Sequence, residues 1–501
     1  MPRYTLSRLV LTSGDALSPA VLEYSTWGTL NEQGDNCIVI GHAMTGSQDV
    51  QDWWPGLVGP NNVPHRKEEA RDAALSKESA DPLIRSHNGE AARSSPSAAF
   101  AIDTTKYFVF CANILGSPYG SSSPLSIDER TGKCYGPDFP LTNTRDDAQL
   151  QLHALAHLGV KSIACALGGS MGGMLVLELA LAGCAEGGAS PRIPVRTLMP
   201  IASTLTSSSW IMGWNEIQRA AIQMDPAFDE GRYCWQSPSR RSSVADARRG
   251  STSSTASSTA SSTASSSTAG PDLGLSIARQ MAMMTFRSEE AYKHKFQRRS
   301  TSLASRTAAA RSAISLPPSP PLSACASEGE EGRGRSSGVN IHVASEVAND
   351  DVHSSATWYP TSRRASSISP SSHPLLEATV QPVQSYLRYQ GQKLVDRFDA
   401  NCYVHLLHKM DAHDVFYGRD ICTVRRFLRC EEATQALGKE GEKVVVLGIP
   451  TDRLFAFSEQ QDMARFLDSE LCAIESVDGH DAFLIKRDLV ASKIEQLLCV
   501  S

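Results

Sequence analysis

Three residues of this 501-residue chain have the types and the order that nucleophilic catalysis needs: Ser170 inside Gly168-Gly169-Ser170-Met171-Gly172-Gly173, then Asp452, then His480. A serine hydroxyl attacks a carbonyl only when a histidine takes its proton. That histidine keeps the right tautomer when a carboxylate holds its other ring nitrogen. A bare G-x-S-x-G fills ordinary loops too, so the weight falls on its neighbours. The apolar run Ser162–Leu167 precedes it and the helix-favouring stretch Met174–Leu181 follows, which predicts strand, tight turn and helix. Such a turn aims the hydroxyl at the helix N-terminus, where developing negative charge is favoured.

The other two residues need elements of their own. Val444-Val445-Val446-Leu447-Gly448-Ile449 is an unbroken apolar run, the pattern of a parallel strand buried on both faces, and Asp452 stands just past its end. Leu471–Ile474 predicts another short strand and delivers the loop Val477-Asp478-Gly479-His480-Asp481. Alone, His480 would read as a surface loop histidine. The chain order serine, acid, histidine is that of an α/β-hydrolase sheet. That fold takes an oxyanion donor from an early loop, and Cys37–Ile40 followed by Gly41-His42-Ala43-Met44-Thr45-Gly46 is the candidate. The backbone N–H groups of Met44 and Met171 are the expected oxyanion pair. His42 lies on this early loop and is read as shaping it, not as a second base.

Composition narrows the class. With 41% hydrophobic residues the chain can bury a large α/β core. A formal net charge of −6 leaves no basic footprint for nucleic acid. No apolar run reaches membrane-spanning length and no signal-like start appears, so a cytoplasmic protein without membrane contact is expected. The 12 cysteines contain no C-x-x-C pair, and reduced thiols are expected rather than a disulfide frame or a metal site.

Three composition shifts divide the chain. The predicted organisation is an α/β-hydrolase core over 1–204 with a surface insert at 61–98, a helical cap over 205–417 carrying low-complexity inserts at 236–271 and 299–382, and a second core part over 418–501. Cap helices are expected from Trp210–Phe228, Leu273–Gln297 and Val383–Tyr417. The inserts are Ser-rich and unable to bury enough apolar area to offset ordering, so they are expected to be disordered. They carry motifs resembling phosphorylation sites, such as Arg363-Arg364-Ala365-Ser366, at a density common by chance in such tracts. They are also where mispredicted coding sequence would sit.

Taken together, Gly41–Gly46, Asp52-Trp53-Trp54, Cys111–Ser117, Tyr135–Pro140 with Arg145-Asp146-Asp147, the serine turn, Asp478–Phe483, and the cap pieces Asn215–Arg219 and Tyr386–Gly391 resemble the homoserine O-acetyltransferases of the α/β-hydrolase superfamily, the fungal ones most nearly. The resemblance covers nearly everything outside the inserts. It implies acetyl transfer from acetyl-CoA, as co-substrate with no bound cofactor, to L-homoserine for methionine biosynthesis. The route would be a Ser170 acetyl-enzyme, with His480 as base and Asp452 orienting it. It further implies Arg219 for the acceptor carboxylate, Asp481 for its ammonium, and a homodimer through the cap. A succinyl donor, a serine or cephalosporin acceptor, and an esterase with the same triad stay open. A non-catalytic scaffold recruiting partners through the Ser-rich tracts is disfavoured by the intact triad.

Overall fold

Cys37, Val39, Phe110 and Ala166 belong to one buried apolar cluster, while Ile38, Ile40, Val109, Cys111, Cys165 and Leu167 belong to another. Alternate residues of the same apolar runs thus feed opposite faces of one sheet. Helices cover both faces, which is why these strands are apolar throughout. The computed structural model describes residues 1–61, 100–185, 190–236, 270–296, 382–430 and 444–498. Residues Met1–Arg298 and Val383–Ser501 form one compact unit and Arg299–Pro382 a second. The second, and the three inserts apart from their outermost residues, lie outside the described residues.

The central sheet contains β1 (Arg3–Leu6), β2 (Ala20–Trp27), β3 (Cys37–Gly41), β4 (Phe108–Ala112), β5 (Ile163–Gly169), β6 (Leu198–Ile201), β7 (Val445–Gly448) and β8 (Glu470–Ala473). Their spatial order is β1-β2-β4-β3-β5-β6-β7-β8. β1 and β2 join antiparallel, and every pairing from β4 to β8 is parallel. This is the mostly parallel α/β-hydrolase sheet expected from the sequence. The loops after β3, β5, β7 and β8 leave from one edge, the carboxyl ends where α/β proteins build sites.

The helices of eight residues or more among the described residues are α1 (Thr144–His157), α2 (Met171–Cys184), α3 (Ser209–Gln223), α4 (Asp272–Phe286), α5 (Glu289–Phe296), α6 (Pro382–Val395), α7 (Ala400–Asp411), α8 (Ile421–Leu428), α9 (Phe457–Leu467) and α10 (Arg487–Leu498). Helices α3 to α7 fall within the span predicted as a cap, and α3 packs on α4 and α7. Two stretches read as continuous helical pattern are broken. Arg287 leaves the helix with φ −120 and ψ 147, and the Ser288 hydroxyl then accepts from the Ala291 N–H at 3.0 Å to start α5. Asp399 likewise caps α7 by accepting from the Cys402 N–H at 3.1 Å. Periodicity continued across both caps because apolar spacing does not register them.

Segments that carried the family resemblance also tie the cap to the core. Lys409 of α7 is fully buried and donates to Asp147 Oδ2 of α1 at 2.5 Å and to the Leu115 carbonyl at 2.9 Å, while Asp147 Oδ1 accepts from the Leu115 N–H at 2.7 Å. Burial pushes the Asp147 carboxyl up and the Lys409 amine down, so each charge depends on the other. Gly116, at φ +88, presses on the His405 ring, where a Cβ would come within 2.1 Å. Removing one partner strands a buried charge. Lys409→Met is therefore expected to destabilise the fold by about 3–5 kcal/mol in urea unfolding, and the double variant Lys409→Met/Asp147→Leu by clearly less. Equal losses would show that the pair is not coupled.

Candidate active site

Ser170 follows the last residue of β5 and precedes the first residue of α2 with φ 59 and ψ −127, a conformation costing on the order of 1–3 kcal/mol outside glycine. Its neighbours show how that is sustained. A Cβ on Gly168 would meet the Gly172 carbonyl oxygen at 2.4 Å, one on Gly172 would meet the Gly41 oxygen at 2.1 Å, and one on Gly173 would meet Ser203 at 2.5 Å. Strand, helix and the early loop close to backbone contact, and the turn has nowhere to relax. The Ser170 N–H donates to the Ile201 carbonyl of β6 at 2.9 Å, which fixes the turn on the sheet.

Asp452 follows β7 and His480 follows β8, and both side chains are buried. His480 Nδ1–H donates to Asp452 Oδ2 at 2.7 Å, which leaves Nε2 as the nitrogen able to accept a proton. Asp452 Oδ1 accepts from the N–H groups of Leu454 at 2.8 Å and Phe455 at 3.0 Å, and Gln460 Nε2 donates to Oδ2 at 3.3 Å. Gln460 is itself held by the Ile449 N–H and the Phe455 carbonyl. It is a second support for the acid that sequence patterning did not single out. Rings of Phe455, Phe483 and Phe286 stand 5.3, 5.7 and 5.9 Å from the His480 ring. Phe483 also fills the space a Cβ on Gly169 would take, at 2.3 Å, and so spans from the histidine to the residue before the serine. Burial works against charge on His480, but the Asp452 carboxylate, through its charge and hydrogen bond, prevails and holds the imidazole pKa above its ordinary value.

Met44 and Met171 are buried on the two segments that Gly41 and Gly172 bring together. Met171 is the first residue of α2, so its N–H has no partner within the helix. His42 is not a base. Its Nδ1 donates to the Ala43 carbonyl at 2.8 Å, its Nε2 accepts from the Ile114 N–H at 3.2 Å, and burial lowers its pKa to about 4. It shapes the loop, as its position in the sequence implied.

Cap residues that sequence reading passed over hold these loops. Arg287 pairs with Asp478 at 3.0 Å and Asp481 at 3.2 Å, on either side of His480, and Ser288 Oγ donates to the Val477 carbonyl. Gly479, at φ +73, lets the histidine loop lie against Arg287 and Ser288. Arg397 donates to the Thr45 carbonyl at 2.8 Å and to Tyr119 Oη at 2.6 Å, anchoring the early loop. Arg219 binds Glu216 of its own helix and Asp411 of α7, and its recorded partners include neither Asp452 nor His480. Asp481, beside His480, is committed to Arg287, and burial lifts its carboxyl above the usual range against the pull of that arginine. A groove of about 870 Å³ opens beside Asp452, bounded by Thr451, Arg453, Ser288 and Lys293; neither Ser170 nor His480 lines it.

The chain matches a model of the alpha/beta hydrolase fold over residues 89–300. It is 34% identical to the homoserine O-acetyltransferase of Saccharomyces cerevisiae over 98% of this chain and 84% of that one. The chain belongs to the homoserine O-acetyltransferase family. Its fold is shared with a homoserine O-acetyltransferase from Bacillus anthracis, at TM-score 0.62 and 17% identity over 100% of this chain and 98% of that one. It is also shared with an acetylester hydrolase from Corynebacterium glutamicum, at TM-score 0.57 and 17% identity over 99% of this chain and 95% of that one.

Because Asp452 is the main influence set against burial, with Asp481 adding to it, NMR titration should place His480 above the ordinary histidine value of 6.5, and Asp452→Asn should lower it. A titration unmoved by the substitution would rule out this account of the pair.

Proposed function

We propose that this member of the homoserine O-acetyltransferase family transfers the acetyl group of acetyl-CoA to the hydroxyl of L-homoserine through an acetyl-Ser170 intermediate. The observation that carries the mechanism is the buried 2.7 Å bond from His480 Nδ1 to Asp452, which orients Nε2 as a base at the same sheet edge as the strained serine. Ser170 Oγ attacks the thioester carbonyl while its proton passes to His480 Nε2. The C–S bond breaks, and the departing thiolate takes that proton. The acceptor hydroxyl then gives its proton to His480 and attacks the acetyl carbon, and Ser170 recovers the proton as the ester leaves. The N–H groups of Met44 and Met171 stabilise the oxyanion in both halves. The aromatic wall around His480 lowers the access of water, which would otherwise divert the acetyl-enzyme to hydrolysis.

The acceptor is a zwitterion, and burying either of its charges unpaired is costly. Arg219 and Asp481 are the residues the family resemblance puts forward for its carboxylate and ammonium. Each is already paired here, so acceptor binding at them exchanges one ion pair for another. In the same reading the protein is cytoplasmic, in keeping with its ten free cysteines among the described residues. No described helix is long and apolar enough to cross a membrane. It also dimerises through the cap, where Ile217, Met224, Leu273 and Met284 stand exposed on and beside α3 and α4.

Purified protein should release CoA from acetyl-CoA in step with O-acetylhomoserine, read by thiol assay and mass spectrometry, with release dependent on homoserine. Release at the same rate without homoserine would make it an esterase. Ser170→Ala and His480→Ala should each lower turnover by about a thousandfold or more. Light scattering at micromolar concentration should return twice the chain mass; a monomer would remove the dimer.

A further inference from the structure

Away from the active site, two thiols from distant parts of the chain meet. Cys134 pairs with Ile127 across a core hairpin, and Cys234 lies in the helical turn Tyr233–Gln236 at the end of the first cap segment. Their side chains share a hydrogen bond. Neighbouring residues hold them together. Trp235 Nε1 donates to the Cys134 carbonyl at 2.8 Å, and the Lys133 ammonium stands 5.8 Å from the centre of the Trp235 ring. Gly136, at φ +57, brings the hairpin so close that a Cβ there would meet Cys234 Sγ at 2.7 Å.

The other side of the same turn is tied to α7. Tyr233 Oη donates to Asp399 Oδ2 at 2.8 Å, and Asn401 Nδ2 donates to the Gly231 carbonyl at 2.8 Å. Residues 231–235 are thus the junction between the core hairpin and the start of a cap helix. Cys134 is buried and Cys234 half-buried. A cavity of about 400 Å³ is lined by Gly136 and Asn401, which both flank the Cys234 sulfur, so a small oxidant has room beside the pair. Burial, and after it the hydrogen bond to Cys134, holds the Cys234 thiol above its ordinary pKa. Little thiolate forms at neutral pH, and oxidation is therefore slow.

We propose that Cys134 and Cys234 are a redox-sensitive clasp, in which a peroxide converts the two thiols into a disulfide that staples the cap to the core hairpin. The Cys234 sulfur attacks one peroxide oxygen and the O–O bond breaks. The sulfur becomes a sulfenic acid, and the thiol proton leaves with the other oxygen as water. The Cys134 sulfur then displaces the sulfenic oxygen: the S–S bond forms, the S–O bond breaks, and the Cys134 proton leaves in a second water. Two electrons have passed from the sulfurs to the peroxide, and a dithiol returns them. The bond closes a loop of about a hundred residues, long enough for its constraint on the unfolded chain to be measurable. In a reducing compartment it is transient, formed under oxidative load and then undone.

The test treats the full-length protein with hydrogen peroxide, alkylates it, and maps its peptides by mass spectrometry without reduction. The expected product is a peptide pair joined through Cys134 and Cys234 that dithiothreitol separates. Oxidised protein should melt roughly 5 °C or more above reduced protein, and Cys134→Ser should show neither the cross-link nor the rise. Any oxidation pattern without the Cys134–Cys234 cross-link overturns the proposal, and so does a cross-link that leaves the melting temperature where it was. The mapping is read on the unsubstituted protein, so the proposal stands or falls there even if Cys134→Ser does not fold. Neither readout depends on the acyl donor or acceptor, and a failure of the acetyltransferase reading leaves this result untouched.

Discussion

The backbone of Ser170 is the constraint on which the site depends. A residue at φ 59 between strand and helix is held only because Gly41, Gly168 and Gly172 bring three backbones closer than any Cβ allows. That same closeness carries Met44 and Met171 to one place and sets the first turn of α2 behind the serine. The strain is local, and its support comes from the whole parallel sheet, since β3, β5 and β6 must be in register for the contacts to form. The proposed nucleophile and the proposed oxyanion donors are thus placed by one packing arrangement.

The second organising feature is the way basic side chains of the cap grip the loops of the core. Arg287 holds both aspartates flanking His480, Arg397 holds Thr45 beside Met44, and Lys409 reaches through α7 to Asp147 and Leu115. Each uses a charged donor on a carbonyl or carboxylate, the stronger class of hydrogen bond. The cap is therefore more than a cover. It helps to place the loops that carry His480 and Met44, the proposed base and one proposed oxyanion donor. Arg287, Arg397 and Lys409 all lie outside the inserts predicted at 236–271 and 299–382.

Much of this was legible in the chain. The strand runs at Cys37, Ser162, Val444 and Leu471, the glycine-flanked serine and the order of acid and histidine led to the parallel sheet and to Ser170, Asp452 and His480, because apolar periodicity and glycine placement are local signals. The helix breaks at Arg287 and Asp399 escaped, since a cap depends on one side chain meeting one N–H while the apolar spacing continues past it. Gln460, Arg287 and Arg397 escaped for another reason. A lone glutamine or arginine on a helical stretch looks solvated until its partner, far away in sequence, is known. Arg219 and Asp481 are a further case: the family resemblance offered them as partners for an acceptor's carboxylate and ammonium, and in the folded chain each has a protein partner.

By itself, then, the sequence determined which strands are buried on both faces, where the nucleophile turn lies and which residues could form the relay, for these follow from spacing along the chain. Only tertiary structure decided which charges are satisfied. Ion pairs such as Lys409 with Asp147 and Arg287 with Asp478 join residues 262 and 191 positions apart, and the cost of a buried charge depends on neighbours that the chain brings together only when it folds.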